Sequence, residues 1–126
     1  EKVQLTKAPH YSNGNHSILN PGKIETGSTY QEITVKRGED IVSKDNIMVP
    51  GVVKIDVEGF EFNVLQGLGN ILLSPECSGI ICEVHFRILE SNGKVDEPEK
   101  IIRFLKDKGF VKVKWLDHSH FFASRN

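Results

Sequence analysis

Two acidic residues, Asp56 and Glu58, stand where the apolar run VVKI gives way to the glycine of VEGFEFNVLQGL. A third acid and a histidine, Glu83 and His85, close the apolar run GIICEVH. A carboxylate in such a place can orient a hydroxyl, take its proton or hold a positive charge. An imidazole titrates near neutrality and can act as a general base. In extended chain the side-chain period is two, so Lys54, Asp56 and Glu58 fall on one side of the strand and Val53, Ile55 and Val57 on the other. Glu83 and His85 share a face by the same rule. Gly59 permits a tight turn from strand to helix.

Each of these residues also has a purely structural explanation. Asp56 can pair with Lys54. Glu58 and Glu61 can favour the positive N-terminus of the following helix. His85 can pack or hydrogen-bond at a strand end. The chemical reading gains from convergence, because Asp56, Glu58, Glu83 and His85 all come from carboxyl ends of adjacent strands. Histidines with carboxylates can also hold a divalent ion. The spacing carries no metal-specific pattern, so the sequence favours a metal-free site. No serine–histidine–aspartate elbow or phosphate-loop lysine competes with these readings.

The elements that must position these residues are legible from Gly51 onward. GVVKIDVE is a short apolar run of the kind found in a parallel strand covered on both faces. Val64, Leu65, Leu68, Ile71 and Leu72 then line one helical face, and Ser74–Glu76 stops it. Ser78–Phe86 reads as a second buried strand and Ser91–Lys94 as a loop. Asp96 and Glu99 form a capping box with Pro98 in the first turn. Ile101, Ile102 and Leu105 give this helix its apolar face, and Gly109 ends it. FVKVKWL alternates Val111, Val113 and Trp115 against Lys112 and Lys114, which predicts solvent-facing lysines. Asp117–Ser119 turns the chain and HFFAS returns, closing the sheet edge as a hairpin.

Residues 1–50 are more weakly patterned. KVQLT (Lys2–Thr6) and QEITVKRGED (Gln31–Asp40) alternate, the second with Ile33 and Val35 on one face. SNGN and NPGK are turn signals. Short antiparallel strands and loops are expected there, followed by a β-α-β-α-β-β core over residues 51–126. Strands alternating with helices imply an α/β fold with a parallel sheet.

The chain has 126 residues, which fits a single domain, and 16 basic against 17 acidic residues give a net charge of -1. No basic surplus points to nucleic acid, and the apolar runs are far too short to span a membrane. A cytoplasmic protein with no nucleic-acid or membrane partner is expected, its oligomeric state left open. The two cysteines, Cys77 and Cys82, lack CxxC spacing and suggest neither a disulfide framework nor zinc. The sequon Asn15-His16-Ser17 is short enough to arise by chance. His10 and His16 fall in turn-rich, surface-type sequence. His118 and His120 fall in the closing hairpin, at a rim the sequence leaves open.

VVKIDVEGFEFNVLQGL, then GIICEVH, then IIRFLKDKGF before a closing hairpin, resembles the C-terminal half of FkbM-family methyltransferases. The likeness is dense from Val52 and loose before it. It implies a Rossmann-like, class I sheet in which VVKID is the fourth strand, GIICEV the fifth, FVKVKWL the sixth and HFFAS the seventh. It places KVQLTKAPHYSNG in the region of the third. It implies S-adenosylmethionine as cofactor and methylation of an oxygen on a small molecule or glycan. In this reading Asp56, Glu58 and His85 are catalytic, Asp56 and Gly59 border the cofactor, and Glu83 and His85 contact the acceptor. The glycine-rich loop of the family's first strand and the ribose-binding acid of its second do not occur here. Gly67-Leu68-Gly69 follows a helical run rather than a strand and reads as helix-end punctuation. The resemblance therefore implies a partial catalytic domain, inactive alone and with an open edge on the VVKIDV strand. The other class of function left open is a Rossmann-like binding or interaction module without catalysis.

Overall fold

The computed structural model describes residues 2–7 and 29–126, which belong to two units, Glu1–Lys36 and Arg37–Asn126. His10, His16, the sequon and the SNGN and NPGK turns lie outside the described residues. In the first unit, β1 (Lys2–Lys7) and β2 (Thr29–Thr34) pair antiparallel as a two-stranded sheet of their own. Val3 lies opposite Ile33, an apolar cross-strand pair. Lys2 meets Glu32 at 2.7 Å on the exposed side. The described part of KVQLTKAPHYSNG thus makes an antiparallel pair rather than a third parallel strand.

The second unit opens with a helix where alternation suggested more strand. β2 stops at Thr34, and α1 (Gly38–Lys44) begins with Glu39 and Asp40 in its first turn. Acids there suit the positive end of a helix. After α1 come β3 (Val52–Ile55), α2 (Glu61–Leu68), a 3₁₀ turn (Gly69–Leu73) and β4 (Gly79–Glu83). They are followed by α3 (Phe86–Ser91), α4 (Glu97–Asp107), β5 (Lys112–Trp115) and β6 (His120–Ser124). No helix among the described residues is long and apolar enough to cross a membrane.

The sheet runs β3-β4-β6-β5, with β3 and β4 parallel and β6 antiparallel to both its neighbours. The closing hairpin does more than cap an edge. Its second arm enters the sheet and its first arm becomes the edge. The sequence explains that choice. β6 buries Phe121 and Ala123 and half-buries Phe122, so it needs neighbours on both sides, whereas β5 exposes Lys112 and Lys114, which blunt an edge. At the other end β3 has no second neighbour among the described strands.

One face of this sheet carries the core. Register and alternation put Val53, Ile55, Ile80, Cys82, Phe121, Ala123 and Val113 together. They pack into one cluster with Leu65 from α2, Ile71 and Leu72 from the 3₁₀ turn, and Ile101 and Leu105 from α4. On the opposite face Val52 is 52% exposed and Lys54 also faces solvent. β3 is therefore covered on one face by the described residues, not on both.

The helix ends show where local signals won and lost. Gly109 has φ +96, and the N–H groups of Gly109 and Phe110 bond back to Lys106 and Leu105, closing α4 in a Schellman turn. At its start the capping box does not form. Asp96 makes no side-chain cap bond and instead meets Lys100 one turn on, at 2.8 Å, which also lowers its carboxyl below the ordinary value. The helical face read from Val64 to Leu72 is broken by Gly69 at φ +48, after which a 3₁₀ turn still buries Ile71 and Leu72. That confirms Gly67-Leu68-Gly69 as helix-end punctuation.

Candidate functional site: a carboxylate–histidine rim

At the carboxyl end of β3 the chain turns sharply. Glu58 has φ +53 and Gly59 has φ +92, two successive left-handed residues before α2 begins at Glu61. A glycine adopts that conformation without strain, while a glutamate does so at a cost of roughly 1–2 kcal/mol. A Cβ on Gly59 would lie 2.7 Å from Ile88 Cγ2 on α3. Gly59 is thus required by the turn and by close packing of α3. Gly59→Ala is expected to destabilise the protein by about 1–3 kcal/mol. Chemical denaturation checks this through a lower midpoint at constant m-value; an unmoved midpoint would count against the tight packing described here.

The turn brings Glu61 back under the strand end. Its side chain is fully buried, and Oε1 accepts the Gly59 N–H at 2.9 Å. The same oxygen lies 2.7 Å from Nδ1 of His85. Where Nδ1 donates to this oxygen, the neutral tautomer of His85 has its lone pair on Nε2. His85 follows β4 and serves as the N-cap residue of α3. Its Nε2 faces three more carboxylates: Asp56 Oδ1 at 3.7 Å, Glu58 Oε1 at 3.7 Å and Glu83 Oε1 at 3.9 Å. Lys54 meets the other oxygen of Asp56 at 3.2 Å, in a pair exposed to solvent.

A second histidine joins from the hairpin. His120 opens β6 directly opposite Glu83 in the register. Its Nε2 lies 3.3 Å from Glu83 Oε2, and its Nδ1 lies 3.0 Å from Asp117 Oδ2. Backbone N–H groups of Ser119 and His120 hold the Asp117 carboxyl well below the usual carboxylate range. Two imidazoles thus converge on Glu83, each with Nδ1 against a carboxylate. The charge of this rim is felt in the core: burial, with the charges of Glu61, Asp56 and Glu83 added, pushes the Cys82 thiol up to about 12.

Asp56, Glu58, Glu83 and His85, expected from the sequence to converge, do meet. Gly59 is buried in the turn beside them, His120 reaches the same rim, and His118 stays exposed. By sequence alone Glu61 reads only as a helix-dipole partner. The available signal was its place at the first position of α2, two residues after Gly59, from which a carboxylate can reach back to a free N–H. Its contact with His85, 24 residues away, leaves no local signature.

Residues 2–112 match the family described as the Methyltransferase FkbM domain. Among characterised proteins, Hexuronic acid methyltransferase AglP of Haloferax volcanii is 31% identical over 105 residues, covering 83% of this chain. The match spans 37% of the length of that relative. No solved structure matches the chain.

Proposed function

This chain belongs to the FkbM methyltransferase family, and from that premise we propose that the protein transfers a methyl group from S-adenosylmethionine to an oxygen of a small molecule or glycan. The observation that carries the reading is the His85 imidazole held through Nδ1 by buried Glu61, with Nε2 turned to Asp56, Glu58 and Glu83. In open α/β sheets, ligands bind beyond the carboxyl ends of the strands, and this rim is built there.

The cofactor's contribution is a methyl group already activated on a sulfonium, so the protein has to align the acceptor and handle one proton. The residues present fit the charge of that group, because the rim is acidic and a sulfonium is cationic. Asp56 and Gly59 border it in this reading, and Glu58 stands with Asp56 at the reacting centre. Glu83 and His85 receive the acceptor hydroxyl, and Nε2 of His85 takes its proton. The resemblance assigns the nucleoside half of the crevice to the family's first strands. The relative named above acts on a hexuronic acid, which supports a sugar as acceptor here.

The test is transfer of an isotope-labelled methyl group by the full-length protein to a panel of neutral and acidic sugars. We expect label in an ether or ester oxygen position of at least one of them. A full-length protein that neither binds S-adenosylmethionine nor labels any oxygen acceptor would overturn the reading.

A further inference from the structure

We propose that the rim is also a binding site for a divalent transition-metal ion, held by one oxygen each of Asp56 and Glu83 and by Nε2 of His85. One ligand atom from each of these residues lies within 4.8 Å of the others. Atoms bound to one small ion at about 2.1 Å lie roughly 3–4 Å apart. The Nε2 to Asp56 and Nε2 to Glu83 separations, 3.7 and 3.9 Å, already fall in that range. Small side-chain rotations complete the set.

A cluster of acids alone does not make a metal site, and here a separate observation points to a cation. Glu61 is fully buried and directs one oxygen to His85, yet its Oε2 has no hydrogen-bond partner among the described residues. A buried carboxylate left half-satisfied is costly unless a positive charge lies nearby. The cationic or titratable partners that the structure records for the rim are exposed Lys54 and the two histidines. Four carboxylates, from Asp56, Glu58, Glu61 and Glu83, surround the His85 imidazole.

The surroundings have the order found around metal-bound histidines. A ligating imidazole donates its other N–H to a carboxylate, which fixes the tautomer and raises the basicity of the ligating nitrogen. Glu61 does this for Nδ1 of His85. His120 in turn holds the second oxygen of Glu83, leaving the first toward Nε2. Two carboxylate oxygens and one imidazole suit Mn²⁺, Fe²⁺ or Zn²⁺ better than an all-oxygen ion such as Mg²⁺.

Binding of the ion does not depend on the methyl-transfer reading. With an ion at Nε2 that lone pair is used, so the ion-bound and proton-accepting forms of His85 are alternatives.

The experiment is calorimetric titration of the full-length protein, stripped with a chelator, with MnCl₂ or ZnCl₂ alone and neither cofactor nor acceptor present. One ion per chain is expected. Glu83→Gln and His85→Asn are each expected to weaken binding at least about tenfold, and Glu61→Gln, which keeps an acceptor for Nδ1 but loses the charge that raises the basicity of Nε2, by about tenfold. Glu83 is partly exposed, so its variant keeps the fold. Electron spin echo spectra of the Mn²⁺ form should show nitrogen coupling that vanishes in His85→Asn. No saturable binding below about 1 mM would overturn the proposal. So would an ion whose affinity and nitrogen coupling are unchanged in His85→Asn. None of these outcomes bears on methyl transfer, which is tested separately by labelled product.

Discussion

In the full-length protein, His85→Asn is expected to slow methyl transfer by about 10²–10⁴-fold, the range of a positioned proton-transfer group. The substitution is chosen to spare the fold. The asparagine amide can still donate toward Glu61 Oε1, which lies 2.7 Å from Nδ1 in the parent. It offers nothing in place of Nε2. His85→Ala is the cruder test, because it strands buried Glu61 without its partner, and removing one partner of a buried pair costs about 3–5 kcal/mol. The contrast separates the two roles of the imidazole. If His85→Asn is folded, binds cofactor and turns over at the parent rate, the histidine is a structural cap for α3 and the proton goes elsewhere.

Arg125→Ala is expected to produce the largest loss of stability, about 3–4 kcal/mol. The guanidinium donates to the carbonyl oxygens of Cys77 at 2.9 Å, Lys108 at 2.9 Å, Ser74 at 3.2 Å and Leu72. It also lies over the Phe110 ring, 4.4 Å from the centroid. One side chain thus ties the 3₁₀ turn, the entry to β4 and the end of α4 to the chain's last strand. Its removal leaves several partly buried carbonyl groups without donors at once. Arg125→Lys should recover less than half, since a single ammonium cannot reproduce the planar fork. Denaturant unfolding measures both; a loss below about 1 kcal/mol for Arg125→Ala would show that water replaces these bonds at little cost.

The parts of the fold that were legible are those written in local periodicity. Apolar runs marked β3 and β4, the alternation of Lys112 and Lys114 marked a strand with one solvent-facing side, and Gly109 marked the end of α4. The elements that escaped are short or decided elsewhere. α3 has six residues, too few to show a period, and α1 follows an alternating stretch whose charges fit strand or helix equally. Asp96 had the right type and place for a cap, but Lys100 one turn along offered it an ion pair instead.

The candidate site divides in the same way. Asp56, Glu58, Glu83 and His85 could be picked out because strand ends collect ligand-binding groups. That Glu61 is fully buried, and that His120 belongs to the rim, depends on tertiary register. The Glu83–His120 pairing exists only because β6 lies beside β4, and no spacing in the sequence states that. Gly59 shows the reverse case: its type was read correctly as a turn residue, while its closest neighbour is Ile88 of α3.

The most direct test of the account is the effect of Asp56→Asn on kcat and kcat/KM for methyl transfer in the full-length protein, measured beside its thermal midpoint. Asp56 is partly exposed and its pair with Lys54 is a surface one, so its loss should cost the fold no more than about 1 kcal/mol. If the carboxylate acts on donor and acceptor at the reacting centre, kcat and kcat/KM fall together by at least about tenfold while the midpoint barely moves. A folded variant with parental kcat and kcat/KM would contradict the account and leave Asp56 as no more than the surface partner of Lys54.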